Sequence, residues 1–588
     1  MRLVLRRVVF VVVILTAAGV AAVGGSAVAR SGPAAKGAVK AHAGDLPVIA
    51  PTGTCAQFAT TDVSEAVGAS VGITSATAGT APQGYSICDI KGVIAPQIQF
   101  EVTLPTQTYS GRYLQTGCGG LCGTLAINAQ AANGCAPLTS GAFAMASDNM
   151  GHVAGGNNDG NFGTDPQLRL DFAYRADHLL ALTAKELIKR FYGSGPKYSY
   201  FDGCSEGGHE ALEEVQRFPH DFNGVIAGAP ASILQPLNTF YQPWLAKADF
   251  DSSGNQIMPA SKLPLVHNAA LANCDGKDGL VDGQIDDPRA CTFDPGSLAC
   301  PSDQDAATCL TQAQIAVVRK IYSGPVDQHG KHLYPGGEPV GSELAWSPWF
   351  IPPAPNGAQQ STISWSIGNG WLKYLAYNPN PPLSFDVNQA TFDDQTFERA
   401  SKLFDFWDAT NPNLSAFRKA GGKLIIWQGW ADQAISPYGT VAYYAALQDQ
   451  MGGLAATQKF ARLFMFPGVL HCAGGNAGGP NTFDLLTPLL SWVEQGTAPS
   501  QVIASASANG QVTRTRPVYP YPLVARYNGT GDTNDAANFH PVAGPKSGDR
   551  FQWLGSFKPV PRTHADRKGH QKHKAKKHRR RRGHRDKS

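Results

Sequence analysis

YSYFDGCSEGGHEALEEVQR, residues 198–217, changes character twice in one short span. Tyr198 to Asp202 is a compact apolar and aromatic run that reads as a buried strand, Gly203 to Gly207 as a sharp turn, and about Gly208 to Arg217 as a helix. Gly203-Cys204-Ser205-Glu206-Gly207 fits G-x-S-x-G, and strand, turn and helix in that order predict a nucleophile elbow. Its glycines permit the cramped turn that holds a serine hydroxyl clear of its own backbone. The pattern alone is weak in a chain with 64 glycines, and Gly68-Ala69-Ser70-Val71-Gly72 repeats it. That copy follows the polar stretch TTDVSEAV and lacks an apolar strand before it, so it reads as an ordinary turn.

Outward from the elbow, residues 171–192 carry helical spacing and stop at Gly193-Ser194-Gly195-Pro196. Ile98 to Leu104 and Arg112 to Leu114 read as strands, followed by the turn Gly117-Cys118-Gly119-Gly120. After Pro230 the pattern loosens into a Pro-, Asp-, Cys- and Trp-rich region that runs to about residue 400. Alternation then resumes, with strand Lys423–Gln428, helix Ser436–Gln450, strand Ala461–Phe466 and helix 481–495. The expected fold class is α/β: an α/β-hydrolase catalytic domain (49–232 and 403–560) with a large inserted lid domain (233–402).

A serine at neutral pH needs a base within hydrogen-bond reach and a group that orients the base. In this fold the chain order is Ser, Asp, His. Asp432 and His471 each sit in a loop just after a predicted strand, where open α/β sheets place their sites. Cys204 precedes the serine and Cys472 follows the histidine, so a bridge between them would bring Ser205 and His471 together. The expected catalytic residues are Ser205, Asp432 and His471. The backbone N–H of Glu206 is the natural first oxyanion donor.

The arrangement Cys204-Ser205, Asp432, His471-Cys472 resembles the signature of the tannase and feruloyl esterase family, which includes mono(hydroxyethyl) terephthalate hydrolases. The resemblance spans most of residues 50–530 and takes in Gly207-Gly208, Asp148 with Gly151-His152, and Leu414 to Asp432. It implies a serine esterase acting through an acyl-enzyme on feruloyl, galloyl or related aromatic esters, small or carried on plant polysaccharide. It also implies a second oxyanion donor from Gly119 or Gly120. The rival readings are a peptidase or lipase on the same fold, or an inactive cell-surface binding protein.

Within the insertion, CDGKDGLVDGQI (274–285) spaces three carboxylates among glycines, as oxygen ligands for calcium require, though not at EF-hand spacing. By resemblance to the family's lid loop, Asp275, Asp278 and Asp282 would bind Ca2+ through side chains and Leu280 and Gln284 through carbonyls. That ion would be structural, and no organic cofactor is expected. The resemblance pairs Cys274 with Cys291, Cys300 with Cys309, and Cys55 with Cys88, while Cys118, Cys122 and Cys135 leave one thiol over. Trp346, Trp349, Trp365, Trp371 and Tyr374 offer surfaces on which an aromatic acyl group could stack.

The first 29 residues read as a signal peptide: Arg2, Arg6 and Arg7, an apolar run from Val8 to about Val23, then Ala27-Val28-Ala29. A secreted, extracellular protein is expected, and eleven cysteines suit that setting. Residues 30–48 read as a flexible linker and 561–588 as a disordered basic tail. Thirteen Lys/Arg against Asp566 and Asp586 give residues 562–588 a charge of +11, and the signal segment adds three more. The formal +4 of the chain therefore leaves about −10 for the body. An exported tail of this kind would meet anionic cell-wall or membrane polymers rather than nucleic acid.

Overall fold

The computed structural model describes residues 46–557, apart from 156–157, 477 and 546–547. The expected signal peptide, nearly all of the expected linker and the basic tail lie outside the described residues.

A nine-stranded sheet organises the body: β1 (Val71–Thr80), β2 (Ser86–Ile94), β3 (Ile98–Pro105), β4 (Arg112–Thr116), β5 (Phe143–Asp148), β6 (Tyr198–Cys204), β7 (Gly224–Gly228), β8 (Lys423–Gly429) and β9 (Ala461–Phe466). In space the order is β1-β2-β3-β5-β4-β6-β7-β8-β9. β1 to β3 form an antiparallel meander at one edge, and the other six strands run parallel. These strands read as continuous apolar runs because helices cover both of their faces: β6 is buried from Ser199 to Cys204 and β8 from Leu424 to Gly429. β4 has β5 on one side and β6 on the other, so connections leave in opposite directions there. A crevice opens at the carboxyl ends of strands at such a switch point. The Gly117–Gly120 turn after β4 and the elbow after β6 meet at its rim.

The helix expected over 171–192 is present as α1 (Ala176–Tyr192), preceded by a π-helical turn at Asp171–Arg175 and a helix at Pro166–Leu170. α2 (Glu206–Arg217) begins directly after Ser205. Between β7 and β8 the chain leaves the sheet for residues 229–422 and returns in parallel register, Gly224 beside Lys423. This insertion includes α3 (Gln242–Ala246) and α4 (Ile363–Tyr374). α5 (Pro437–Met451) follows β8, and α6 (Leu486–Gln495) follows β9. α6 is shorter than the expected 481–495, because Thr482 pairs with Ser505 and Asp484 with Ala132 in extended bridges before the helix can start.

Two hairpins missed by the sequence reading close the described chain: β10 (Val502–Ala508) with β11 (Gln511–Val518), and β12 (Leu523–Tyr527) with β13 (Phe539–Ala543). Asn509-Gly510 between β10 and β11 is the turn signal that could have revealed the first.

Disulfides join Cys55–Cys88, Cys118–Cys122, Cys204–Cys472, Cys274–Cys291 and Cys300–Cys309. The leftover thiol is Cys135, buried, with its pKa pushed up to about 11 by burial. No helix among the described residues is long and apolar enough to cross a membrane.

Candidate active site

Ser205 sits at φ 66° and ψ −119°, a conformation rarely adopted by residues with a side chain. Neighbouring contacts enforce it. A Cβ on Gly203 would lie 2.2 Å from the carbonyl oxygen of Gly207, and one on Gly208 would lie 2.3 Å from that of Gly228. The backbone of Ser205 is itself tied on both sides, its N–H donating to Gly228 (3.0 Å) and its carbonyl accepting from Ala231 (3.0 Å). Glycine at 203 and 208 is thus what lets strand and helix close on the serine.

Ser205 Oγ lies 2.9 Å from His471 Nε2, and His471 Nδ1 lies 2.9 Å from Asp432 Oδ2. Asp432 is fully buried. Its Oδ1 accepts N–H bonds from Ala434 and Ile435 at 2.9 Å each, and its Oδ2 also accepts from Gln428 Nε2 at 2.6 Å. So many donors fix the carboxylate in one orientation. It holds the proton on Nδ1, so Nε2 is left as the acceptor for the serine hydroxyl. Gln433 Oε1 accepts the backbone N–H of His471 at 3.1 Å, and Trp349 meets the imidazole edge-on, with ring centres 5.6 Å apart. The Cys204–Cys472 bridge, Cα to Cα 5.8 Å, ties the residue before the serine to the residue after the histidine.

Across the crevice, Gly117 N–H donates to Asp202 (3.1 Å) and Gly207 N–H donates to the carbonyl of Cys118 (2.9 Å), which seats the glycine turn against the first turn of α2. The turn is closed by Cys118–Cys122, and Cys118 N–H donates to Glu210 Oε2 at 3.1 Å. Gly120 lines the same cavity as Ser205, Glu206 and His471; Gly119 precedes it in the turn. Beneath the elbow, His209 Nδ1 and Glu206 Oε1 form a fully buried ion pair at 2.9 Å, not aligned as a hydrogen bond. Burial lowers the His209 pKa, but Glu206, and Glu213 more weakly, override it and leave it at about 9.

Of the lid aromatics, Trp349 lines the cavity, whereas Trp346 and Trp371 are fully buried lid core. Asp148 and His152 are also structural. Asp148 Oδ1 accepts the N–H of Met150 at 2.7 Å, and His152 is buried against Phe162 with ring centres 3.9 Å apart.

In the acidic loop of the lid, Asp275 accepts N–H bonds from Asp282 (3.0 Å) and Gly283 (2.8 Å), and Asp278 accepts one from Leu280 (2.9 Å). Asp286, which the sequence reading left out, faces Asp278; burial and that neighbour push its pKa well above the usual carboxylate range. Asp282 is raised by burial even though Arg514 and Arg516 oppose the shift. Both arginines reach its Oδ2, Arg526 donates to the carbonyl of Asp278, and Asp282 Oδ1 is buried without a partner. All the donors are oxygens, the hard ligands that calcium takes, so the loop fits the ion by kind. It is not drawn into one coordination sphere, because Asp275 is spent on backbone N–H groups and Asp282 on arginines. Elsewhere among the described residues, Cys118, Cys122 and Glu210 offer metal-type ligand atoms within 4.8 Å of one another, but the disulfide occupies both sulfurs.

The sequence profile described as "Tannase and feruloyl esterase" matches residues 83–542. The chain is 34% identical over 521 residues to the mono(2-hydroxyethyl) terephthalate hydrolase of Piscinibacter sakaiensis, covering 78% of this chain and 85% of that protein. It is 34% identical over 459 residues to the probable feruloyl esterase B-1 of Aspergillus oryzae, covering 75% of this chain and 80% of that one. The crystal structure of feruloyl esterase B from Aspergillus oryzae superposes with a TM-score of 0.70 at 30% identity, over 80% of this chain and 97% of that chain.

Proposed function

This chain belongs to the tannase and feruloyl esterase family and is a carboxylic ester hydrolase of that type; on that premise we propose that it hydrolyses esters of phenolic and other aromatic acids through an acyl-enzyme on Ser205. The observation that carries the reading is the unbroken chain from Ser205 Oγ through His471 to the buried Asp432, two contacts of 2.9 Å each. His471 Nε2 takes the hydroxyl proton as Oγ attacks the ester carbonyl carbon. The oxygen that gains charge faces the N–H of Glu206 and the glycine turn at Gly119 and Gly120. His471 then gives its proton to the departing alcohol, and water admitted by the same base releases the acid. Asp432 orients the imidazole and stabilises its charge without taking the proton.

The likeness to feruloyl esterases and to a terephthalate monoester hydrolase supports aromatic acyl groups, free or on plant polysaccharide. Five disulfides and the N-terminal segment support export. In the lid, Asp275, Asp278 and Asp282 through side chains and Leu280 and Gln284 through carbonyls would hold a structural calcium ion, Asp275 and Asp282 exchanging their present partners for it, with Asp286 beside Asp278. The basic tail would bring the enzyme to anionic cell-wall or membrane surfaces.

The test is a panel of methyl ferulate, methyl gallate, chlorogenate and a terephthalate monoester set against peptides and long-chain triglycerides. Turnover of aromatic esters by wild type and not by Ser205→Ala is expected. Preference for peptides or triglycerides, or equal rates in the variant, overturns the reading.

A further inference from the structure

The lid begins with a helical segment laid over the serine: Leu234–Pro236, a π-helical turn at Leu237–Tyr241, then α3 from Gln242. Leu234, Asn238 and Gln242 recur every fourth residue, and all three line the cavity that holds Ser205 and His471. π-helical turns gather at functional sites because the wider turn re-aims side chains. Here the result is a wall that is apolar at Leu234 and Leu237 and carries two neutral amides at Asn238 and Gln242.

Gln242 is 2% exposed. Its Nε2 donates to the carbonyl of Ala434 at 2.9 Å, and since a carbonyl only accepts, this bond fixes which end of the amide is which. Oε1 is therefore the free end, and it is a buried acceptor with no partner. Leaving such an atom unsatisfied is costly, so a residue lining the active-site cavity retains it at a loss unless a ligand supplies the missing donor. Ester carbonyls, methoxy groups and carboxylates cannot, because they only accept. A phenolic hydroxyl can. Among the described residues, no lysine or arginine lines this cavity to receive a carboxylate on the acyl group.

We propose that Gln242 Oε1 accepts a hydrogen bond from a phenolic hydroxyl of the acyl group, so that the enzyme selects acids with a free phenol over their O-methylated or carboxylate-bearing counterparts. This rests on the esterase reading of Ser205 and assigns the acyl-recognising residue within it.

The test compares kcat/KM for methyl ferulate and methyl 3,4-dimethoxycinnamate, which differ by one methyl on the phenolic oxygen. Wild type is expected to favour ferulate by at least about tenfold. Gln242→Met, similar in length but without the acceptor, is expected to bring the ratio of ferulate to dimethoxy ester near one. Equal rates for the two esters in wild type overturn the proposal, as does an undiminished ratio in a folded Gln242→Met. If that variant fails to fold, the wild-type ratio decides. Cleavage of p-nitrophenyl acetate but of neither cinnamate also overturns it and leaves the esterase reading intact, whereas equal p-nitrophenyl acetate rates in wild type and Ser205→Ala overturn that reading.

Discussion

The triad and the acidic loop of the lid are each tied by a disulfide, Cys204–Cys472 in one and Cys274–Cys291 in the other, yet they hold their charges in opposite ways. Around Asp432 both carboxylate oxygens have partners, from Ala434, Ile435, Gln428 and His471, and all of these lie within the two loops that follow β8 and β9 or on β8 itself. Around Asp282 the compensation comes from Arg514 and Arg516, more than 230 residues further on, and one buried oxygen is left over. A carboxylate satisfied by its own loop keeps its geometry without help. One that depends on distant cations makes its loop only as firm as those cations are.

The widest gap between the two regions should appear on replacing single carboxylates. Asp432→Asn is expected to lower kcat by roughly 10⁴-fold because the imidazole loses its tautomer, with little change in the melting temperature. A fall of less than tenfold on methyl ferulate would show that the loop does not set the base. Next in size is the covalent tie: Cys204→Ala with Cys472→Ala should cost about 2–5 kcal/mol in a denaturant titration, together with activity. Unchanged stability would mean that the hydrogen bonds alone hold the two loops together.

Beneath the elbow, His209 gives a pH-dependent contribution whose sign is fixed. Its folded pKa is raised from 6.5 to about 9, so its stabilisation is complete below pH 6.5 and is lost as pH rises through about 9. The loss is on the order of 3 kcal/mol. Measured across that window, wild type should lose more unfolding free energy than His209→Gln, and parallel curves would remove the charge from His209. The smallest effect is expected in the lid, where saturating calcium should add about 2–3 kcal/mol over a chelated sample, with hydrolysis largely retained. Elemental analysis finding no calcium, with identical melting after chelation, would leave the arginines as the loop's whole compensation.

Sequence reached the elbow because Gly203, Ser205 and Gly207 stand in one short span between an apolar strand and a helix, and it reached Asp432 and His471 because each follows a recognisable apolar strand. Where no motif marks a distant partner it failed. Nothing near Asp282 announces Arg514 or Arg516, and only the fold sets Asp286 against Asp278. Three neighbouring cysteines left their pairing open because spacing alone does not say which sulfur is buried away from the others. The lid resisted for a different reason: its helices are short, five residues in α3 and twelve in α4, and irregular chain separates them. β1, β2, β5, β7 and the C-terminal hairpins went unread, although Asn509-Gly510 marks the turn of one hairpin.

Every step of the chemistry depends on Ser205 Oγ taking the acyl group. Incubation with a p-nitrophenyl phosphonate followed by peptide mass spectrometry should show one phosphonyl group per chain, on the peptide that contains Ser205, with ester hydrolysis falling in proportion to labelling. Full labelling at another residue, or full hydrolysis by a chain fully modified at Ser205, would contradict it.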